Sequence, residues 1–351
     1  QLVDDLVAFL GIGTGEELGC FRFRWQDRSF AVGVSIGLVP ISVEMADRVG
    51  VLVAADAACY VAKESGRDRI HEYQADDVAL VERYGAMLWV QRIQSALHEE
   101  RFTLWCQPIE PIGRSHGPRA NDPPLAEIFV RLRGEDGELA LPGSFIPPAE
   151  RYHLVGAIDR WVVRNSFVVL AKAQRGGHGA NMRYAINLSG QSIGDETFLG
   201  FVLTEIDSSG VKPETILFEV TETAAVANLA RAQSFIRTLK ELGCGFVLDD
   251  FGTGLSSFAY LKNLDVDFLK IDGAFVRDAT SGPTDRALIE SIHQIGHLMG
   301  IQTIAEGVED LSTLELLRGI GMDYVQGNGL APPMPLEEVL RSRGALPAVR
   351  S

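Results

Sequence analysis

The sequence is poor in cysteine, in basic residues and in long apolar runs, and each shortage excludes a class of protein. Its four cysteines in 351 residues are far apart, which indicates reduced core thiols in a cytoplasmic chain and not a disulfide or metal framework. No run of about 18 or more apolar residues occurs, so no membrane span is expected. Asp and Glu (47) outnumber Lys and Arg (32), and the net charge of −15 argues against binding to DNA or RNA polymers or to anionic membranes. The cysteines are Cys20, Cys59, Cys106 and Cys244.

The start of the chain lacks a charged segment followed by an apolar one, which is the pattern of a secretory signal. The length suits one domain of about 200 to 250 residues plus a smaller piece. Residues 1–75 contain too few elements to bury both faces of a sheet, so we expect further sequence upstream, including a sensor domain. This leaves open whether the parent protein is anchored in a membrane upstream of the chain.

The stretch Gly245–Gly254, GFVLDDFGTG, is an apolar run that ends in two adjacent carboxylates and a glycine-rich turn. The run predicts a strand that is buried on both faces. Asp249 and Asp250 would repel each other at its end, so a positive charge is expected to offset them. A divalent metal or a metal pair is the simplest candidate.

From residue 101 onward, short β-rich runs alternate with longer helical patterns. Eight strand candidates alternating with helices over about 250 residues predict an α/β fold, a TIM-like (β/α)₈ barrel. The predicted strands are Phe102–Ile109, Ala126–Leu132, Tyr184–Leu188, Ile216–Val220, Gly245–Leu248, Phe268–Ile271, Thr303–Ala305 and Tyr324–Gln326. The predicted helices are Ala157–Ala173, Glu196–Ser208, Ala224–Leu242, Thr284–Met299 and Leu311–Ile320.

Residues 1–100 have a different pattern. Phe21–Trp25 and Phe30–Gly37 predict a hairpin, because apolar and basic residues alternate in the first run and a polar turn joins the two. Leu52–Ser65 predicts an amphipathic helix and Arg69–Tyr73 a closing strand. Residues 76–100 have helical spacing with one polar face, which indicates a connecting helix between two domains.

Polar residues recur where the predicted barrel strands end. Because the carboxyl ends of parallel barrel strands meet at one mouth, these residues should meet in space. Their oxygen atoms suit Mg²⁺ or Mn²⁺ more than Zn²⁺. Taken singly, each could instead be a helix cap, a turn residue or a snorkelling lysine; their joint placement favours a site. They are Asn187, Glu219, Asp249, Asp250, Lys270, Glu306 and Gln326.

Two further patterns are weaker. His293 and His297 stand four residues apart on a predicted helix, a spacing that can chelate zinc, but no third ligand is evident nearby. Gly327-Asn328-Gly329 could be a phosphate-binding turn, although a plain loop is the simpler interpretation.

The N-terminal region resembles the C-terminal half of a GGDEF-type diguanylate cyclase domain. The similar segments are Ser35–Gly37, Ala55–Lys63 and Gly66–Arg69. The defining Gly-Gly-(Asp/Glu)-Glu-Phe loop is missing, so we expect residues 1–75 to be a truncated GGDEF-like fragment of α+β type without cyclase activity.

The chain from about Phe102 to Leu340 resembles an EAL-type cyclic-di-GMP phosphodiesterase domain, and we expect that barrel domain to span residues 101–345. The family is a TIM-like barrel whose first strand runs antiparallel, and the resemblance implies that detail here. The matching motifs, in chain order, are Glu127–Arg131, Asn187–Ser189, Glu219–Glu222, Asp249–Gly254, Lys270–Asp272, Glu306–Glu309 and Gln326-Gly327.

The resemblance implies which residues hold metal. Glu127, Asn187, Glu219 and Asp249 would hold one cation, and Asp249 would bridge to a second that Asp250 also holds. Two cations about 3.5–4 Å apart can lower the pKa of a bridging water and neutralise a phosphodiester. Attack in line with the departing 3′ oxygen would open cyclic di-GMP to linear pGpG.

The resemblance also implies catalytic and substrate-binding roles. Lys270 would orient or help deprotonate the attacking water, and Glu306 would bind a metal-coordinated water or act as base. Gln107 and Arg131 would face the dinucleotide. Gln326 would hydrogen-bond near the second metal or its water. Homodimers are common in the family, so a homodimer is a possible assembly.

Two acids would support the site indirectly. Glu222 would brace the loop Phe251–Ser257, and Glu309 would support the other ligands. One departure from the family is that the signature triplet is Glu-Ile-Phe and not Glu-Ala-Leu. Bulkier side chains can shift a ligand-bearing strand, which should affect rate and substrate fit more than metal binding. The alternative function is a catalytically silent cyclic-di-GMP receptor.

Overall fold

The protein is described here by a computed structural model. It describes residues 21–25, 28–32, 35–40, 51, 54–55, 58–59, 61–63, 69–73, 78–112, 123–135, 137–177, 182–252 and 260–341. By internal contacts the chain divides into two compact units, Gln1–Arg92 and Ile93–Ser351.

The first unit contains two small sheets. Strands β1 (Phe21–Trp25) and β2 (Arg28–Val32) pair antiparallel, which confirms the hairpin. The predicted extent of its second strand, Phe30–Gly37, is wrong, because β2 already includes Arg28 and Ser29 and ends at Val32, and Ile36 and Gly37 belong to a different sheet. Strands β3 (Ile36–Leu38) and β4 (Ile70–Glu72) pair in parallel, and the described positions between 51 and 63 are helical. The predicted turn residues Gln26 and Asp27 lie outside the described residues.

Helix α1 (Val78–His98) occupies the region for which a connecting helix was predicted. The boundary between the two compact units falls within this helix, between Arg92 and Ile93. The role of the helix as a connection between domains stays a prediction.

The second unit is a closed eight-stranded barrel. Seven of its strands are parallel, whereas the first, β5, is antiparallel to both of its neighbours, as the EAL resemblance implied. β5 pairs with β6 on one side and with β13 on the other, and these two pairings close the ring. The barrel strands, in chain order, are β5 (Phe102–Pro111), β6 (Leu125–Arg133), β8 (Arg183–Leu188), β9 (Ile216–Thr221), β10 (Gly245–Phe251), β11 (Phe268–Ile271), β12 (Gln302–Ala305) and β13 (Tyr324–Val325). Two short strands, β7 (Leu139–Ala140) and β14 (Met334–Pro335), pair antiparallel with β6 and β5 respectively.

Helices follow most of the barrel strands. They are α2 (Pro142–Arg151), α3 (Val155–Arg175), α4 (Gly190–Gly194), α5 (Glu196–Ser209), α6 (Glu222–Ala227), α7 (Leu229–Glu241), α8 (Gly273–Asp278), α9 (Pro283–Leu298), α10 (Leu311–Ile320) and α11 (Leu336–Arg341). The single helix predicted over Ala224–Leu242 is wrong. Asn228, with φ of −139°, separates α6 from α7 and ends the run of helical dihedrals.

The interior of the barrel contains a layer of eight buried side chains, one from each strand of the ring. Such layers fill the interior of TIM-type barrels, so the centre is a packed core and not a channel. The layer consists of Ile109, Leu125, Ala185, Leu217, Val247, Phe268, Ile304 and Tyr324.

Strand β10 does not end at Leu248, as the sequence predicted, but continues through the aspartate pair to Phe251. Its register with β11 shifts between Leu248 and Phe251, and Asp250 has a left-handed φ of 54°. A bulge of this kind inserts a residue into one strand and re-aims the side chains beside it. The bulge therefore explains how two adjacent aspartates can serve one side of a strand.

In the part of the chain that the structure describes, no helix is both long enough and apolar enough to cross a membrane. The described cysteines Cys59, Cys106 and Cys244 are free thiols, and the last two are buried.

Replacing Gly245 with Ala should destabilise the barrel. A Cβ at this first residue of β10 would overlap the side chains of Arg183 and Leu217. Overpacking of this kind costs about 1–3 kcal/mol, and unfolding in urea measures the loss.

Gly200→Ala is the matched control, because Gly200 lies within α5 and a Cβ there would meet nothing within 4 Å. That variant should be more stable by about 0.4–1 kcal/mol. Equal stability of the two variants would contradict the packing around Gly245.

Candidate functional site

A polar layer lies directly above the apolar layer of the barrel. In seven strands the polar residue comes two positions after the apolar one. In the reversed β5 it comes two positions before. Side chains two residues apart lie on the same face of a strand, so all eight face the barrel axis at the carboxyl ends of the parallel strands. They are Gln107, Glu127, Asn187, Glu219, Asp249, Lys270, Glu306 and Gln326.

Lys270 lies at the centre of this layer and is only 1% exposed. Its Nζ atom is 3.0 Å from Glu127 Oε2 and 3.6 Å from Asp249 Oδ1, and it also forms ion pairs with Glu219 and Glu306. Side chains from four other strands or strand ends thus meet at a single ammonium group. The convergence predicted for the strand ends is present in the fold.

Three neutral amides complete the ring around Glu127. Asn187 donates its amide hydrogen to Glu127 Oε1 at 2.6 Å, and Gln326 donates to Glu127 Oε2 at 2.8 Å. Gln326 also donates to Gln107, whose own amide nitrogen donates to the carbonyl of Ala331 at 2.9 Å. These contacts fix the Glu127 carboxylate from both sides.

Asp250 joins the layer through the bulge in β10. One carboxylate oxygen of Asp250, one of Asp249 and one of Glu306 lie within 4.8 Å of one another. Oxygens of Glu127, Glu219 and Glu306 form a second such group. The left-handed φ of Asp250 is uncommon for a residue other than glycine and costs of order 1–3 kcal/mol, and such strain concentrates at functional sites.

The titration of the site reflects its burial. Burial raises the pKa of the Glu219 carboxyl well above its ordinary value, and the Glu127 carboxylate adds to the rise. Burial also raises the pKa of Glu306 to about 7 and that of Asp250 to about 6. For Lys270, burial alone would lower the pKa, but the carboxylates beginning with Asp249 raise it well above its ordinary range. The site therefore contains more carboxyl groups than its one ammonium group can neutralise.

The donor set fits divalent cations. Among the described residues, three buried oxygens of this layer have no hydrogen-bond donor: Glu219 Oε2, Asp249 Oδ1 and Gln326 Oε1. Buried acceptors without donors are costly, and a cation can take their lone pairs. Five carboxylates share one ammonium here, and hard oxygen ligands suit Mg²⁺ or Mn²⁺.

A cavity of about 630 Å³ opens over the polar layer. Its polar lining includes Glu127, Asn187 and Asp249, and its apolar lining comes largely from α2 and α3. The second and third residues of the Glu-Ile-Phe triplet, Ile128 and Phe129, both line the cavity, although Ile128 is only 2% exposed. The cavity is of the size that small-molecule ligands occupy.

Glu222 bridges the two ends of the loop that follows the aspartate pair. Its Oε2 accepts a hydrogen bond from the Gly252 amide at 3.1 Å, and its Oε1 accepts one from the Tyr260 hydroxyl at 2.7 Å. Residues 253–259 between them lie outside the described residues. Glu222 is thus a buried anchor of that loop and not only the first residue of α6.

Glu309 and Arg131 lie at different places relative to the cavity. Glu309 is exposed on the wall of the cavity, next to the loop that carries Glu306. Arg131 is buried and does not line the cavity; its guanidinium lies 5.4 Å from the ring of Phe129. The proposed contact of Arg131 with a dinucleotide stays a prediction.

Sequence reasoning missed Asp159 on α3. Its Oδ2 accepts hydrogen bonds from the Ser189 amide at 3.0 Å and from the Ser192 hydroxyl at 2.7 Å, and it lines the cavity. It therefore holds the segment that follows Asn187. A single acid near the start of a helix has no distinguishing spacing, so only Ser189 and Ser192 hinted at a partner.

The glycines of the turn Gly327-Asn328-Gly329 are required by close packing. A Cβ on Gly327 would overlap the backbone of Val308, and one on Gly329 would overlap the backbone of Glu309. The glycines let this turn lie against the loop after β12, with the Val308 amide donating to the Gln326 carbonyl at 3.0 Å. The close approach brings Gln326 and Glu306 to the same rim.

A barrel with a reversed first strand and this polar rim defines a family of proteins. The family model described as the EAL domain matches residues 90–333, which is more than half of the chain. The chain therefore belongs to the EAL domain family.

Its relatives include named phosphodiesterases. The chain is 33% identical over 336 residues to the cyclic di-GMP phosphodiesterase PdeB of Shewanella oneidensis, which covers 96% of this chain and 38% of that protein. It is 36% identical over 253 residues to the cyclic di-GMP phosphodiesterase PdeF of Escherichia coli, covering 72% of this chain and 32% of that protein. The chain thus spans well under half the length of these curated relatives.

Solved structures share the fold. The PaMucR phosphodiesterase in complex with c-di-GMP superposes with a TM-score of 0.65 at 30% identity, covering 72% of this chain and 100% of that chain. The FimX EAL domain from Pseudomonas aeruginosa bound to c-di-GMP gives a TM-score of 0.63 at 28% identity, covering 70% and 96%.

Replacing Lys270 with Met should destabilise the metal-free protein, because the carboxylates then lose their central ammonium. Removing one partner of a buried ion pair costs about 3–5 kcal/mol, and proton uptake by the carboxylates should reduce that loss. Added Mn²⁺ should stabilise the variant, since a cation that binds only the folded state shifts the equilibrium toward it. Urea unfolding with and without Mn²⁺ measures both effects.

Lys240→Met is the matched control. Lys240 pairs with Asp265 at 2.9 Å and Asp267 at 3.1 Å, but it lies on α7, its side chain is 22% exposed, and both partners precede β11. Its loss should be about 1 kcal/mol or less, with no Mn²⁺ dependence beyond that of the wild type. A Lys270→Met variant that behaves like this control would show that Lys270 does not hold the carboxylates together.

Proposed function

We propose that this chain hydrolyses cyclic di-GMP to linear pGpG with the help of two divalent cations, Mg²⁺ or Mn²⁺. The observation that carries the proposal is the complete ring of eight polar side chains at the barrel rim, with three of its buried oxygens lacking donors. The names of the relatives PdeB and PdeF support the choice of substrate. The proposed activity is that of this chain and not of a longer parent protein.

Five residues would hold the cations. We assign Glu127, Asn187, Glu219 and Asp249 to one cation, and Asp249 with Asp250 to the other. When bound, the cations supply an activated water and neutralise charge on the phosphodiester. Asn187 would turn its amide oxygen toward the cation while its nitrogen keeps the hydrogen bond to Glu127.

The other polar residues would position water and move protons. Lys270, which is held among the carboxylates, would orient the attacking water through its ammonium hydrogens. Glu306, whose side chain is 23% exposed and pairs with Lys270, would hold the proton that the water releases. A base at this position would have hydrogen-bond access to both the buried site and solvent.

The shape of the cavity suits a dinucleotide. Phosphate would lie over the polar layer, where bound cations offset the repulsion from the carboxylates, and a base would pack on the apolar wall that includes Phe129. We assign Gln107 and Gln326, which line the cavity, to substrate binding; Arg131 is assigned with them on the family resemblance alone. Because Gln107 and Gln326 are hydrogen-bonded to each other, they would contact substrate as a pair.

Two acids would act indirectly. Glu222 would keep the loop after the aspartate pair in place through Gly252 and Tyr260, so that Asp249 and Asp250 stay aligned. Glu309, on the wall of the cavity beside Gly327, would support the loop that bears Glu306.

We further propose that residues 1–75 are a truncated GGDEF-like fragment, residues 76–100 a connecting helix and residues 101–345 the EAL-type barrel domain. The parallel pair of β3 and β4 and the helical positions between them support an α+β fragment. A relative named the bifunctional diguanylate cyclase/cyclic di-GMP phosphodiesterase MucR aligns with 89% of this chain at 29% identity.

The test is incubation of the purified chain with cyclic di-GMP and either Mg²⁺ or Mn²⁺, followed by chromatography of the products. We expect linear pGpG with metal and none after chelation. Asp249→Ala should abolish turnover, because it removes the acid shared by both cations. Asp265→Ala, which removes an exposed acid outside the site, should leave the rate within about twofold.

Binding of cyclic di-GMP without hydrolysis, unaffected by a chelator, would support the catalytically silent receptor instead. A wild-type rate in Asp249→Ala would contradict the two-cation assignment even if the chain is an enzyme.

Phe129→Leu tests the unusual triplet. The change restores the smaller family residue on the cavity wall and leaves Glu127 in place, so we expect altered KM by up to about 10-fold with unchanged metal affinity. Steady-state kinetics and Mn²⁺ titration separate the two effects. A changed Mn²⁺ affinity would mean that Phe129 displaces the ligand-bearing strand.

A further inference from the structure

A second group of potential ligands lies on the outer side of the barrel, away from the polar layer. His293 and His297 stand one turn apart on α9, with ring centroids 4.1 Å apart. Asp323, which directly precedes β13, approaches them from a distant part of the chain, and its Oδ2 is 2.8 Å from His297 Nε2. The third ligand that the sequence did not reveal is therefore supplied by the fold. One ligand atom from each of the three residues lies within 4.8 Å of the other two.

The hydrogen bonds around His293 leave its second nitrogen available. The Thr303 hydroxyl is 3.1 Å from Asp323 Oδ2 and 2.7 Å from His293 Nδ1. A carboxylate only accepts, so the hydroxyl donates to Asp323 and accepts from Nδ1–H. His293 then carries its free lone pair on Nε2, the atom that lies 3.8 Å from a Cβ built on Gly321. Nε2 consequently faces the turn that carries Asp323.

Thr303 and its neighbours resemble the support that metal-binding histidines have in known sites. A ligating histidine usually donates its other ring N–H to a nearby oxygen, which fixes both the tautomer and the orientation of the ring. Thr303 does this for His293, and the Thr303 amide also holds Asp323 Oδ2 at 2.9 Å. Two of the three ligands are therefore already oriented before any ion binds.

The site is also open to solvent. His293, His297, Leu298 and Ile320 line a recess in the surface, and the His297 side chain is 43% exposed. An ion could reach the ligands through this recess, and His297 has the freedom to adjust its ring. Burial and the neighbouring His297 lower the pKa of His293.

We propose that His293, His297 and Asp323 bind a transition-metal ion of the Zn²⁺ class at a site separate from the polar layer. Two imidazole nitrogens and one carboxylate oxygen are a ligand set that Zn²⁺ accepts in sites that keep one position open. The ion would replace the proton that His297 and Asp323 share. It would tie α9 to the turn between α10 and β13. This inference does not depend on the proposed phosphodiesterase activity.

The experiment is a Zn²⁺ titration of the full chain against a chelating indicator, repeated with Co²⁺ as a spectroscopic probe. The carboxylate layer can also take Zn²⁺, so the informative quantity is the difference between matched proteins. His297→Ala removes a half-exposed ligand and should fold normally. His98→Ala removes an exposed histidine at the end of α1 and serves as the control.

We expect the wild type and His98→Ala to bind one more Zn²⁺ per chain than His297→Ala at micromolar concentration. Loss of a hydrogen-bonded supporter alone costs a metal site about 10–100-fold in affinity, so loss of a ligand should cost at least about 100-fold. With Co²⁺, only the proteins that keep His297 should show visible absorption from nitrogen ligation.

Equal Zn²⁺ stoichiometry and affinity in His297→Ala and the wild type would overturn the proposal. So would a Co²⁺ spectrum that is the same in both proteins. In either case the three residues would be a hydrogen-bonded surface cluster, held by Thr303 and nothing more.

Discussion

The alternation of side chains along the strands of a closed ring is the constraint on which this molecule depends. Because each strand turns every second residue toward the axis, the ring presents one apolar layer and, two residues further along, one polar layer. The apolar layer fills the barrel and fixes the register of the strands. The same register then determines which eight side chains face each other at the rim. A slip of one residue in any strand would turn its ligand outward.

Ion pairs, and not apolar packing, hold the polar layer together. Lys270 holds Glu127, Glu219 and Glu306 in ion pairs, yet the carboxylates outnumber it. Burial makes this imbalance more costly than it would be in water. A site in this condition gains stability when it takes up protons or cations, so the proposed binding of metal would follow from the energetics of the fold and would not require a separate loop.

Much of this arrangement could be predicted from the sequence. The ends of the apolar runs gave Asn187, Glu219 and Lys270, because each lies within two residues of the end of a parallel strand. Gln107 could not be found in that way, since β5 is reversed and its polar residue precedes the apolar one; only family resemblance indicated it. The bulge that aims Asp250, with its left-handed backbone, has no signature in the periodicity of side chains.

Contacts between segments that are far apart in the chain could not be predicted from the sequence either. The break at Asn228 and the approach of Asp323 to the histidines of α9 depend on how neighbouring elements pack, and spacing along the chain contains no information about either.

The reversed direction of β5 has one more consequence, which concerns how the barrel is joined to what comes before it. In an all-parallel barrel the chain arrives at the floor, on the side opposite the ligands. Here α1 ends at His98, β5 starts at Phe102, and Phe102 pairs with Leu132 beyond Glu127, on the same end as the ligands. Only five residues of strand, about 17 Å, separate Phe102 from Gln107. Entry of the chain at the end that carries the ligands, and not at the floor, is therefore a direct consequence of reversing the first strand.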